Sequence, residues 1–216
     1  MNAKKRVLVF ASGTKEGGGS GFQELVEYSR AGSLKGQIVG VVSNIQGGGV
    51  ERRAQELGIK FVHFPKPWTA ERYVEVVYPF HPDLVALSGW LKYVAGLNPR
   101  MAINIHPGPL PGFGGQDYHG HHVHEMVMEA YRRGDVKCSA VCMHFVTPVI
   151  DDGPIFFRRK VLIRPTDTPD SLGSRVNEVE RAFQAYVTNR VLSGEISWDG
   201  VNRNSLVVPT GWNLVE

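Results

Sequence analysis

The chain has little cysteine, no long hydrophobic run and almost no excess of charge, and each shortage excludes a class of protein. Among 216 residues there are two cysteines, Cys138 and Cys142, four apart in one segment whose pattern reads as a strand. That spacing suits neither a disulfide framework nor a zinc ribbon, so a reducing, cytoplasmic setting is expected. The first apolar run, residues 7–11, follows Met1-Asn2-Ala3-Lys4-Lys5-Arg6 and is too short for a signal-peptide core or a membrane span. It reads as a strand, and no membrane partner is expected. Twenty-four Lys and Arg stand against 21 Asp and Glu, a formal net charge of +3, with the basic residues scattered. A nucleic-acid groove is therefore not indicated, and the expected partners are small molecules. What the chain does have is length and 42% hydrophobic residues, enough for one sizeable core without staples.

Short apolar bursts alternate with longer helical patterns, as in a parallel α/β sheet. Strands are expected over residues 7–11, 38–42, 60–64, 84–88 and 101–105, and helices over 22–31, 50–57 and 70–78. Runs such as Ile38-Val39-Gly40-Val41-Val42 imply strands covered on both faces, hence a doubly wound, mostly parallel sheet with helices on both sides. Beyond residue 106 the texture changes to Pro107, Pro109, Pro111 and several glycines. A helix near 122–133, strands over 139–145 and 154–163, and a long helix over 170–192 follow, with one antiparallel member possible in the sheet. Residues 1–194 are expected to form one domain, and 195–216 a tail packed on it by its tryptophans.

Two places carry chemical signals. Ser12-Gly13-Thr14-Lys15-Glu16-Gly17-Gly18-Gly19-Ser20-Gly21 lies between a strand and a helix, where backbone N–H groups meet the positive end of a helix dipole. No Gly-Lys-Ser or Gly-Lys-Thr closes this loop, the third glycine of G-x-G-x-x-G is missing, and the second strand ends in Val42-Ser43-Asn44 without an acidic ribose ligand. ATP hydrolysis and dinucleotide binding are demoted, leaving a monophosphate pocket or a flexible loop.

The second place is Asn104-Ile105-His106-Pro107-Gly108-Pro109-Leu110-Pro111. On a strand, Asn104 and His106 share a face, at the carboxyl end where open α/β sheets bind ligands. Asp151 or Asp152, in Val149-Ile150-Asp151-Asp152-Gly153-Pro154, can supply a carboxylate. Such a trio suits acyl transfer to a nucleophile that arrives with the substrate. The Asn104 amide and a protonated His106 would stabilise an oxyanion, while Asp151 holds the imidazolium and helps move a proton. No G-x-S-x-G elbow is present, so a covalent hydrolase has no candidate nucleophile.

The Asn104-Ile105-His106-Pro107 stretch with Leu110-Pro111, then His144-Phe145-Val146-Thr147 and Asp151-x-Gly153-Pro154, resembles the folate-dependent formyltransferases, from about Arg6 to Leu192. The resemblance implies a Rossmann-like fold, 10-formyltetrahydrofolate as formyl donor, the amine of glycinamide ribonucleotide as acceptor, and no metal. By position it implies catalytic roles for Asn104, His106 and Asp151. Gly18, Gly19, Ser20 and Gly21 match the substrate phosphate site, and Glu180 matches the acid that holds the acceptor. Trp90, Leu91, Lys92, Tyr93 and Val94 match one side of the folate pocket, with His144, Val146 and Thr147 on the other. A cis Leu110–Pro111 bond and a monomer or homodimer are expected on the same ground.

Departures from the family pattern are local. The first loop is longer, and Gly21 stands where asparagine is usual. Lys92 replaces an arginine, and Trp90 a smaller aromatic. The segment from Gly114 to His124 is longer and holds His119, His121, His122 and His124, which read as a solvated or pocket-rim cluster rather than a metal site. A sugar-nucleotide N-formyltransferase, a formyltetrahydrofolate hydrolase and a binding module without activity are the alternative readings. The intact trio argues against the last.

Overall fold

A computed structural model of the chain describes residues 4–116 and 120–212. Among these, seven strands form one sheet: β1 (Lys5–Phe10), β2 (Gly36–Ser43), β3 (Phe61–His63), β4 (Leu84–Ser88), β5 (Ala102–His106), β6 (Cys138–Phe145) and β7 (Ile155–Leu162). Among the described residues five α-helices pack with them: α1 (Ser20–Arg30), α2 (Gly49–Glu56), α3 (Ala70–Val77), α4 (His121–Arg133) and α5 (Pro169–Leu192). The strand order is β3-β2-β1-β4-β5-β6-β7. Neighbours from β3 to β5 run parallel, and β6 is antiparallel to both β5 and β7. The expected doubly wound, mostly parallel α/β sheet is thus present, with β6 as its one antiparallel member among the described residues.

The apolar runs explain the layers. Alternate residues of β1 serve opposite faces: Val7 and Val9 join the core under α1, α4 and α5, while Leu8 and Phe10 join a second cluster with Tyr73 of α3, Phe80 and Trp90. Both faces are covered, as continuous runs of branched residues require. The chain winds outward in both directions from between β1 and β4, which opens a crevice at the carboxyl ends of those strands.

Helix α1 begins at Ser20, two residues before the pattern suggested. Gly19 adopts a left-handed conformation, φ 79°, which turns the chain into the helix directly after the loop. Ser20 and Gly21 therefore belong to the first helical turn, among the free N–H groups of the helix end. The loop itself is tied down. Thr14 N–H donates to Gly17 O at 2.8 Å, and Arg52 and Arg53 of α2 donate to the carbonyls of Lys15, Glu16 and Gly18.

Residues after α5 return to the sheet. Ser197 bridges Val207, the Trp198 ring lies 5.7 Å from that of Phe145, and Trp212 Nε1 donates to Phe156 O at 2.7 Å. Both cysteines are free thiols, and the Leu110–Pro111 bond is cis, as is Lys66–Pro67. No helix among the described residues is long and apolar enough to cross a membrane.

Candidate active site

β5 delivers Asn104 and His106 to one face while Ile103 and Ile105 enter the core. The antiparallel partner sets what they meet. Register pairs Asn104 with His144 and His106 with Cys142, so the His144 ring stands beside the Asn104 amide, Nδ2 to Nε2 3.1 Å. The chain then turns through Asp151, itself in the left-handed region at φ 53°, and folds its carboxylate back over the strand ends. Asp151 Oδ1 accepts from Asn104 Nδ2 at 3.3 Å and lies 3.4 Å from His144 Nε2. Oδ2 accepts from Gly115 N–H at 3.1 Å and lies 3.5 Å from His106 Nδ1. One carboxylate thus joins two imidazoles, an amide and a backbone donor.

Burial would push the Asp151 carboxyl up, but the His144 hydrogen bond, the charge of His106 and the Gly115 N–H outweigh it, and its pKa is lowered. His106 behaves differently from expectation. Its ring is 3% exposed, and desolvation holds its pKa below the ordinary value despite Asp151 and the Phe113 carbonyl, which pull the other way. Burial thus works against the imidazolium expected at His106. Its Nε2 lies 2.6 Å from Phe113 O, so this nitrogen carries the proton and donates it there.

All of these groups line one cavity of about 860 Å³. Gly18, Gly19, Ser20 and Gly21 of the first loop and α1 also line it, as do Trp90, Leu91, Lys92, Tyr93 and Val94 after β4, Val146 and Thr147 after β6, and Glu180 of α5. The structure therefore brings together every site residue picked from the sequence. His144, placed on a pocket wall by the resemblance, also belongs to the carboxylate cluster. Trp90 donates from Nε1 to the Tyr73 hydroxyl at 2.8 Å, and Lys92 Nζ sits 5.2 Å above the Trp68 ring.

Burial pushes the Glu180 carboxyl up to about 7, although it accepts a hydrogen bond from Asn177 Nδ2 at 3.2 Å that acts to lower it. Asn177 and Gln184 line the same cavity and were missed. Their spacing of three and four residues from Glu180 on one helix was the available signal. In the histidine-rich segment, His119 lies outside the described residues. His121 and His122 approach Glu125 at 3.6 and 2.8 Å, and His124 is buried with its pKa pushed down to about 4 by desolvation, then by His121 and His106. Among the described residues no group of three or more His, Cys, Asp or Glu is placed to hold a metal ion.

With this geometry in view, similarity to known proteins becomes specific. Residues 5–189 match the formyl transferase family. The chain belongs to that family. Among relatives, this formyl transferase is 32% identical over 211 residues to the chloroplastic phosphoribosylglycinamide formyltransferase of Arabidopsis thaliana, covering 92% of this chain and 70% of that one. It is 28% identical over 192 residues to the phosphoribosylglycinamide formyltransferase of Escherichia coli, with 83% and 85% covered. Among solved structures, glycinamide ribonucleotide transformylase 1 from Symbiobacterium toebii superposes with a TM-score of 0.80 at 24% identity, covering 95% and 94%, a likeness of fold.

Proposed function

We propose that this formyl transferase is a phosphoribosylglycinamide formyltransferase, moving the formyl group of 10-formyltetrahydrofolate to the amine of glycinamide ribonucleotide in purine synthesis. The observation that carries this reading is the convergence of Asn104, His106, His144 and Asp151 in one cavity with the N-terminus of α1 and Glu180. The named relatives in Arabidopsis thaliana and Escherichia coli support the choice of acceptor.

The lining of the cavity supports both substrates in this reading. A helix N-terminus suits a phosphomonoester, and a carboxyl beside it suits an amine or a hydroxyl of the same molecule. Trp90, Leu91, Val94 and Val146 offer apolar walls for a flat heteroaromatic ring, and the backbone between them offers polar edges. The bound folate supplies an activated formyl carbon.

Around that carbon the side chains have distinct tasks. As the amine attacks, a C–N bond forms, negative charge grows on the formyl oxygen, and the bond to the donor nitrogen then breaks. The Asn104 amide donates to that oxygen, and the His106 Nε2–H, which the Phe113 carbonyl holds in the free chain, turns to it as the substrate binds. A neutral His106 is no handicap. Charge growing beside it raises its affinity for a proton, so the interaction strengthens on the way to the transition state and acts on kcat. Asp151 stays ionised, orients His106 and Asn104, and passes the proton of the attacking amine, directly or through water, toward the departing nitrogen. Held below the ordinary carboxylate range, it relays a proton rather than storing one.

The test is to incubate the purified chain with 10-formyltetrahydrofolate and glycinamide ribonucleotide, an amino-sugar nucleotide or buffer alone, and to follow release of tetrahydrofolate. Turnover with glycinamide ribonucleotide is expected. Its absence at substantial protein concentration refutes the reading, and turnover in buffer alone would make the chain a hydrolase.

A further inference from the structure

Helix α5 faces the cavity with Gly173, Asn177, Glu180, Arg181 and Gln184, a stripe of spacing three and four. The roles above use only Glu180. Gln184, one turn further on, is 2% exposed and stands against the first turn of α1. A Cβ built on Gly21 would lie 2.5 Å from Gln184 Oε1 and 2.3 Å from Ser88 Oγ. The space that a side chain at position 21 would occupy is therefore taken by a polar group delivered from another helix.

That group is held by a neighbour. Ser88, the last residue of β4, donates from Oγ to Gln184 Oε1 at 3.2 Å. The carbonyl end of the amide is spent there. Its nitrogen has no protein partner among the described residues, and the side chain lines the cavity where the free N–H groups of Ser20 and Gly21 begin α1. The nitrogen is left open to the cavity, where a ligand can accept its hydrogen bond.

We propose that Gln184 is a substrate-binding residue: its amide N–H donates to the phosphoryl group of the acceptor, completing a phosphate site whose other donors are the backbone N–H groups at the start of α1. The site is split between two helices. The loop and first turn of α1 supply the dipole and backbone donors, and α5 supplies a neutral side-chain donor, with Glu180 on the same face for the remainder of the molecule. A neutral donor is the suitable choice there, because Glu180 already places a titratable acid one turn away. Ser88 acts through Gln184, by holding its carbonyl end.

This inference rests on the formyl-transfer reading for the identity of the acceptor, and the experiment separates the two. Gln184→Met keeps length and volume and cannot donate. Gln184→Glu keeps the shape and turns the donor into an acceptor or an anion. Thermal melts establish that each variant folds. Steady-state kinetics with glycinamide ribonucleotide and 10-formyltetrahydrofolate should show KM for the ribonucleotide raised about 10-fold to 100-fold, more in Gln184→Glu, from loss of a hydrogen bond to a charged group. The KM for the folate and kcat should change by less than about twofold, since the contact is made equally in ground and transition states. Calorimetric titration with ribose 5-phosphate reads the phosphate site without the reaction, and the same loss of affinity is expected there. A folded Gln184→Met that binds ribose 5-phosphate as the unsubstituted chain does, or a chain that does not bind it at all, overturns the proposal. Failure of the unsubstituted chain to transfer formyl, with phosphosugar binding still dependent on Gln184, would instead refute the acceptor's identity and leave the phosphate role of Gln184 standing.

Discussion

Glu180 is held in the cavity with its carboxyl pushed up to about 7 by burial, against an ordinary value of 4.5. Between those two values the folded chain holds a proton that the unfolded chain has lost, so this group's contribution to stability is present below the lower value and is lost as pH rises through the upper one. Glu180→Gln removes the penalty. At pH 8 the variant should be more stable than the unsubstituted chain by about 3 kcal/mol, or roughly 6–12 °C in Tm, and at pH 4.5 the two should melt nearly together. The same substitution should raise KM for the acceptor more than KM for the folate. Equal melting temperatures at pH 8 would show that Glu180 carries no desolvation cost.

Asp151 has the opposite sign. Burial disfavours its charge, yet His144, His106 and the Gly115 N–H lower its pKa, so its contribution is present above the ordinary carboxylate value and is lost as pH falls through the folded one. Asp151→Asn keeps an oxygen to accept from Gly115 N–H and should fold, while kcat falls about 10²-fold or more. His106→Ala should lower kcat to a similar extent for a different reason, the loss of a donor to the formyl oxygen. Unaltered kcat in His106→Ala, read by tetrahydrofolate release, would remove His106 from the mechanism.

At the scale of elements, the antiparallel pairing of β5 with β6 decides the composition of the site. Most of the architecture was legible in the chain: the apolar burst over 84–88 is β4 without change, because a fully buried parallel strand needs a continuous apolar run and nothing else competes for it. Asn104 and His106 were legible as a pair because side chains two apart on a strand share a face. Three features were not. The early start of α1 depends on the left-handed turn at Gly19, and glycine-rich sequence does not say which glycine turns. The second role of His144 depends on a register between strands some forty residues apart. The lowered pKa of His106 depends on burial, which outweighs the opposing pull of Asp151 and the Phe113 carbonyl and is set by elements distant in the chain.

That register gives a test of its own. The turn from β6 to β7 brings Gly153 so close to β6 that an added Cβ would lie 1.6 Å from Phe145 O and 3.3 Å from His144 Nδ1. Both contacts are with the strand that carries the site, and the closer one is with backbone. Gly153→Ala must therefore displace the turn bearing Asp151. It should cost about 2 kcal/mol or more, as overpacking does, and lower kcat together with stability. Chemical denaturation and steady-state kinetics on one preparation check both. A loss of stability without loss of kcat would mean that the Asp151 turn tolerates the shift.

At the scale of the whole molecule, the segment after α5 ties the two ends of the fold to the site. Trp198 is 6% exposed and its ring meets Phe145, whose backbone oxygen is the one crowded by Gly153, while Arg203 donates to Asp152 at both its backbone oxygen and its carboxylate. These two contacts differ in kind and predict different losses. Trp198→Ala empties a large buried volume and should destabilise the fold by about 3–5 kcal/mol. Arg203→Ala removes a pair whose side chains are more than half exposed, worth at most about 1 kcal/mol, so the fold should persist. What Arg203 restrains is the residue next to Asp151 on a turn held in an uncommon conformation. Its removal should lower kcat about 3-fold to 10-fold with little change in either KM, because misplacing a catalytic group by a fraction of an ångström acts on the transition state. Arg203→Lys, which keeps one donor and the charge, should recover part of that loss. Kinetics of the two variants beside their melting curves decide the matter: equal kcat in Arg203→Ala and the unsubstituted chain would make this contact a surface ion pair, and the tail would then serve stability through Trp198 alone.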